Sequence, residues 1–105
     1  MLFRSVPKAT AVIVNPTHYA VAIYYSAAEG PAPKVLAKGK NFLAARIRAL
    51  ALSHGVPIVE NPPLARSLYR SAEIGQEIPP ALYRAVAEVL AYVYRLTNGG
   101  FARGW

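Results

Sequence analysis

Apolar positions gather first in two short runs. Residues 11–14 (AVIV) and 19–25 (YAVAIYY) are apolar throughout and rich in β-branched and aromatic side chains. They lack the alternation of a half-exposed strand, so they predict two strands of the buried type. Only Asn15, Pro16, Thr17 and His18 separate them. Proline presets φ for a tight turn, and asparagine is favoured just before it. Residues 26–33 (SAAEGPAP) read as a loop, and residues 34–38 (KVLAK) as a third strand closed by Gly39. Asn41 predicts the cap of a helix running to His54, with Gly55 in the C′ position. Leu43, Ile47 and Leu50 give that helix one buried face. Residues 56–60 (VPIVE) predict a fourth strand, which the crossover helix should leave parallel to the third.

Asn61-Pro62-Pro63 opens a second helix, reaching Ser71. Residues 72–78 connect it to Pro79-Pro80, which opens the longest helix, to about Thr97. In that helix Leu82, Val86, Val89, Val93 and Leu96 form one apolar stripe, and Tyr83, Ala87, Leu90 and Tyr94 an adjacent one. One stripe suffices to seat a helix on a sheet. Two imply either deep burial or a second apolar surface. Residues 98–105 hold adjacent glycines and no periodicity, and are expected to be a flexible tail. The pattern predicts a single α/β domain over residues 1–97. Its small mixed β-sheet of about four strands is packed by three to four helices.

Composition narrows the chemistry. The 105 residues include no cysteine, and all five acidic residues are glutamate. Disulfide scaffolds, zinc ribbons and thiol nucleophiles are excluded. His18 and His54 lie in no ligand motif, so neither a metal nor a cofactor is expected. Residues 9–28 are uncharged with His18 neutral, but Asn15-Pro16-Thr17-His18 interrupts them where a spanning helix tolerates polar groups least. The opening Met1-Leu2-Phe3-Arg4 is too short for a secretory apolar region. The net charge of +7 suggests an anionic neighbour, nucleic acid or membrane. Lys34, Lys38, Lys40, Arg46 and Arg48 cluster along the chain. A basic nucleic-acid-binding module remains the rival class, although most tyrosines fall at core-like spacing and not beside those cations. No nucleic acid is expected.

Asn-Pro occurs at 15–16 and again at 61–62, which supplies an internal control. Proline has no N–H, so ordinary attack of the following backbone nitrogen on the asparagine amide is closed. The remaining route is attack of the asparagine amide nitrogen on its own carbonyl carbon. That step forms a succinimide and expels the proline nitrogen. A ten-thousandfold acceleration needs roughly 5.5 kcal/mol off the barrier, available from orientation and from twisting the amide in a tight turn. Asn61 sits at a helix start, where capping uses its side chain. Asn15 sits in a strand-to-strand turn, and spacing alone allows either an ordinary turn or a reactive one. His18 is either a proton carrier for the departing nitrogen or only an orienting group. Thr17 reads as a hydrogen-bonding turn former, and His54 as a helix C-terminal dipole partner.

Val6-Pro7-Lys8-Ala9 ahead of Asn15-Pro16-Thr17-His18, with Tyr19-Ala20-Val21-Ala22 after it, resembles the FlhB/YscU family (EscU, SpaS, HrcU) of type III secretion export-gate proteins. The resemblance continues through Ala32-Pro33-Lys34-Val35, Ala37-Lys38-Gly39, Val56-Pro57-Ile58-Val59-Glu60 and Pro62-Pro63-Leu64-Ala65-Arg66 to Glu73-Ile74-Gly75-Gln76. Residues 87–96 (AEVLAYVYRL) look closer to the flagellar branch than to the injectisome branch. The resemblance implies a cytoplasmic, autocleaving domain that cuts between Asn15 and Pro16, with Thr17 and His18 completing the motif. It implies a switch of export substrate class, through one self-inflicted cut and not through enzymatic turnover. It implies substrate docking on an apolar surface of Ala32, Pro33, Ala87 and Leu90, with residues 34–40 as a charged rim. The implied partners are other export-apparatus components, export substrates and the hook- or needle-length switch protein. The implied location is the cytoplasmic face of the bacterial inner membrane. Family members carry transmembrane helices and a linker ahead of this domain. The chain is therefore expected to be either an excised domain or a stand-alone short relative.

Overall fold

The computed structural model describes residues 2–16 and 18–99. Strand β1 (Ala11–Asn15) is followed by β2 (Tyr19–Tyr24), β3 (Lys34–Lys40), helix α1 (Phe42–Ser53), β4 (Ile58–Glu60), α2 (Pro62–Ser71) and α3 (Tyr83–Tyr94). The sheet order is β3-β2-β1-β4. β2 is antiparallel to both β1 and β3, while β4 is parallel to β1. The third and fourth strands thus run in the same direction, as the crossover predicts, but on opposite edges of the sheet.

Both faces of the sheet are covered, which is why β1 and β2 read as unbroken apolar runs. Ile13, Val21, Ile23 and Val35 pack beneath α2 and α3, against Leu64, Leu68, Val86, Val89 and Val93. On the other face Val12, Val14, Ala20, Ala22 and Ala37 meet Ala44, Ile47 and Ala51 of α1. The sequence pattern alone would place Val35 and Ala37 on one face. A register shift prevents it: Ala22 pairs with Ala37, but Ile23 pairs with Val35, leaving Leu36 as the extra residue of a bulge. One inserted residue flips the pleat, so Val35 serves one core and Ala37 the other.

β3 does not close at Gly39 as predicted. It continues to Lys40, which pairs with Tyr19 of β2, and Gly39 lets α1 lie directly on the strand: a Cβ there would sit 2.7 Å from Leu43 Cβ. β2 ends at Tyr24, one residue short of the expected end, and the Tyr25 N–H turns to Thr10 Oγ1 at 3.0 Å.

The predicted cap at Asn41 is also corrected. Its side chain makes no cap hydrogen bond, and its φ of 54° and ψ of −116° lie in a region that favours glycine. At Asn61 the cap forms as expected, with the Leu64 N–H donating to Oδ1 at 3.3 Å. Gly55 takes φ +71° at the C′ position of α1. Lys38 closes α2 from below, its Nζ donating to the carbonyls of Tyr69 and Ala72 at 3.0 and 2.8 Å. α3 is preceded by a 3-10 turn at Pro80–Leu82 and continues as a π-helical segment, Arg95–Gly99. That segment overlaps the start of the expected tail; residues 100–105 lie outside the described residues. A 3-10 segment at Leu2–Lys8, which carries no sequence periodicity, buries Val6 under α1. Among the described residues no helix is long and apolar enough to cross a membrane.

Candidate functional site

The hairpin ladder between β1 and β2 runs out to the pair Asn15–Tyr19, so only three residues make the reversal. The Asn15 carbonyl accepts from the His18 N–H at 2.8 Å, closing a four-residue turn. The backbone around that turn is anchored from three other positions along the chain. Asn61 N–H donates to the Val14 carbonyl at 2.9 Å, and Asn41 N–H to the His18 carbonyl at 2.8 Å. Arg48, reaching from α1, donates from Nη1 to the Pro16 carbonyl at 2.9 Å. The site is thus assembled from β1, β2, the start of α1, the end of β4 and the middle of α1.

Asn15 is half-buried, while Pro16 and His18 are exposed. The His18 ring lies 6.3 Å from that of Tyr19, and Tyr19 packs on Tyr69 at 4.8 Å with a 34° tilt. Lys38 sits 5.2 Å above the same Tyr69 ring. The structure therefore brings together three of the four expected residues; Thr17 lies outside the described residues. Sequence reasoning noted Arg48 only as one of a basic group and gave Asn41 a capping role. Neither signal could have placed them here, because Arg48 and Pro16 are 32 residues apart.

His54 is elsewhere, at the end of α1, with Nδ1 3.0 Å from the Leu50 carbonyl. Among the described residues no three His, Cys, Asp or Glu side chains come together in a way that could hold a metal ion.

The second expected surface also takes shape. Pro33, Ala87 and Leu90 line one groove of about 820 Å³, with Tyr25, Tyr83, Tyr94 and Arg95 among its other lining residues. The two stripes of α3 separate as the spacing allows. Val86, Val89 and Val93 are buried, whereas Tyr83 is 44% and Tyr94 68% exposed. Leu96 leaves the first stripe and is half in solvent. Ala32 does not join the groove: it is 6% exposed and lies against a separate small cleft with Tyr24 and Glu29. The expected rim of lysines is likewise corrected. Lys34 stands next to Pro33, but Lys38 is turned to α2 and Lys40 pairs with Tyr19 at the other end of β3.

Groove and turn occupy opposite ends of β2. Tyr19 leaves the turn and Tyr24 reaches the groove loop, about 17 Å away at roughly 3.4 Å per residue.

A model of the FlhB HrpN YscU SpaS family matches residues 1–93. Flagellar biosynthetic protein FlhB of Salmonella typhimurium is 53% identical over 103 residues, 98% of this chain and 27% of that protein. FlhB of Bacillus subtilis is 48% identical over 94 residues, 90% of this chain and 26% of that protein. The chain thus spans about a quarter of the length of these curated relatives. Among solved structures, the cytoplasmic domain of FlhB from Shewanella putrefaciens matches with a TM-score of 0.91 and 43% identity, over 98% of this chain and 79% of that one. A mutant C-terminal domain of EscU matches with a TM-score of 0.84 and 35% identity, over 89% of this chain and 99% of that one.

Proposed function

The chain belongs to the FlhB HrpN YscU SpaS family, and from that premise we propose that it is a cytoplasmic domain of a flagellar-type export apparatus that cuts itself between Asn15 and Pro16. The amide nitrogen of Asn15, Nδ2, bonds to the carbonyl carbon of the same residue and closes a succinimide. The bond from that carbon to the Pro16 nitrogen breaks. One proton leaves Nδ2 and one arrives at the proline nitrogen, which departs as a secondary amine. Water then opens the succinimide and leaves a carboxylate at residue 15.

The observation that carries this reading is the His18 N–H at 2.8 Å from the Asn15 carbonyl oxygen. Negative charge gathers on that oxygen during the attack, and a preplaced donor stabilises it without reorganisation. The proline ring supplies no N–H for the competing reaction. The reaction consumes its own bond, so it happens once per molecule.

The export role is supported by the family and by the groove. An apolar segment of an export substrate, or of the length-control switch protein, docks on Pro33, Ala87 and Leu90, and the cut changes which class is accepted. The domain works at the cytoplasmic face of the inner membrane, joined to it through a region outside these 105 residues.

Intact mass under denaturing conditions tests the cleavage. The chain should appear as residues 1–15 and 16–105, and Asn15→Ala as one piece. An uncut parent chain overturns self-cleavage, and a cut persisting in Asn15→Ala overturns the succinimide route.

A further inference from the structure

We infer that Arg48 is a positioning residue for the Asn15–Pro16 cut: its guanidinium holds the Pro16 carbonyl, and with it the torsions that present the scissile bond. The inference rests on the self-cleavage reading. The contact is direct, Nη1 to the Pro16 oxygen at 2.9 Å, and it comes from a different element, α1.

Two torsions describe the backbone of residue 16. The pyrrolidine ring fixes φ. Because the peptide is planar, the direction of the Pro16 carbonyl reports ψ, and a donor that holds this oxygen removes the remaining soft torsion. The bond from His18 N–H to the Asn15 carbonyl closes the turn on the other side. With both constraints present, the reacting carbonyl and the departing nitrogen occupy one arrangement, which is what orientation contributes to an intramolecular reaction. The guanidinium is suited to this task, being planar, multiply donating and permanently charged.

Nothing on its own helix competes for Arg48. The positions one turn away are Ala44, Ala45, Ala51 and Leu52, so no local carboxylate draws the side chain along α1. Among the described residues the Pro16 carbonyl is its one hydrogen-bond partner.

The test follows the appearance of residues 16–105 by intact mass after a pulse of synthesis, for the parent chain, Arg48→Ala and Arg48→Lys. Arg48→Ala should cut about tenfold more slowly or worse, and Arg48→Lys should recover part of the rate. Millimolar guanidinium should accelerate Arg48→Ala and leave the parent unaffected. On the uncleavable Asn15→Ala background, Arg48→Ala should leave the melting temperature nearly unchanged, as expected for a side chain outside the core. Arg48→Ala cutting at the parent rate overturns the role of Arg48 alone. Slowing that neither lysine nor guanidinium relieves, or that tracks a drop in melting temperature, also overturns it. A parent chain that never cuts overturns the self-cleavage reading and this inference together.

Discussion

The amide of Asn61 donates to the carbonyl of Val14 at 2.9 Å, one residue ahead of Asn15. Because β4 runs parallel to β1 and pairs Val14 with Glu60, the two Asn-Pro sequences end up side by side at one end of the sheet. They are nevertheless committed differently. The Asn61 side chain accepts from Leu64 N–H and Pro62 opens α2, so its Oδ1 is engaged in a cap. Asn15 is followed by a reversal, with its carbonyl already bound by His18. Asn61→Ala should lower stability by about 1 kcal/mol through loss of the cap and leave the Asn15–Pro16 cut intact, because the bond to Val14 comes from the backbone. Denaturant unfolding on the Asn15→Ala background and intact mass on the parent background read the two effects separately. Loss of cleavage in Asn61→Ala would show that the cap shapes the turn.

The cut should not release the short piece. β1 is flanked by β2 on one side and β4 on the other, and Val12, Ile13 and Val14 are buried. Each large aliphatic side chain contributes about 1.5–3 kcal/mol on full burial, and Val6 adds a further anchor beneath α1. Size exclusion in native buffer should give one species containing both pieces. Separation without denaturant refutes this cohesion.

The strands, the turn and the positions of the three long helices are legible in the sequence because their causes are local. Two readings are corrected: α1 buries Ala44, Ile47 and Ala51 and leaves the expected Leu43 46% exposed, and β4 is only Ile58–Glu60 rather than 56–60. Covered faces make unbroken apolar runs, prolines mark helix starts, and the two stripes of α3 differ in phase. What is not legible depends on partners distant along the chain. Residues 34–38 read as a simple strand, yet the bulge at Leu36 sends Val35 and Ala37 to opposite cores. A crossover helix fixes the direction of β3 and β4 but not the two strands that lie between them. At the site, Asn15, Pro16 and His18 are contiguous and therefore visible. Arg48 meets them only once α1 is laid across the sheet, and Ala32 is withdrawn into the interior by the loop that leaves Pro33 outside.

Asn41 illustrates how such long-range demands override a local preference. Asparagine before a helix favours capping, but here β3 must turn directly into α1 while its N–H reaches the His18 carbonyl at 2.8 Å. The resulting φ of 54° costs about 1–3 kcal/mol in a non-glycine residue. Asn41→Gly should therefore raise stability by about 1 kcal/mol and leave cleavage unchanged, since glycine keeps the N–H. Asn41→Val should do the opposite to stability. Paired thermal melts and a cleavage time course decide it, and an Asn41→Gly variant less stable than the parent defeats the strain argument.

The groove makes the most specific demand on the export reading. Ala87 is exposed on α3 while Val86 beside it is buried, so the two positions separate docking from folding. Ala87→Glu places a charge among Pro33, Leu90 and Tyr94 without touching the core, and should weaken binding of an apolar export segment about tenfold or more. Val86→Glu buries the same charge and should unfold the domain. Because the turn lies about 17 Å from the groove along β2, Ala87→Glu should cut between Asn15 and Pro16 at the parent rate. For the same reason the proposed cut should affect docking only by loosening the β1–β2 end of the sheet, not by adding or removing a groove wall. The isolated groove affinity of cut protein and of Asn15→Ala should then differ by less than the Ala87→Glu effect. Titration of a labelled substrate peptide against all three proteins measures this directly. Unchanged binding in Ala87→Glu assigns the second stripe of α3 to some surface other than substrate docking.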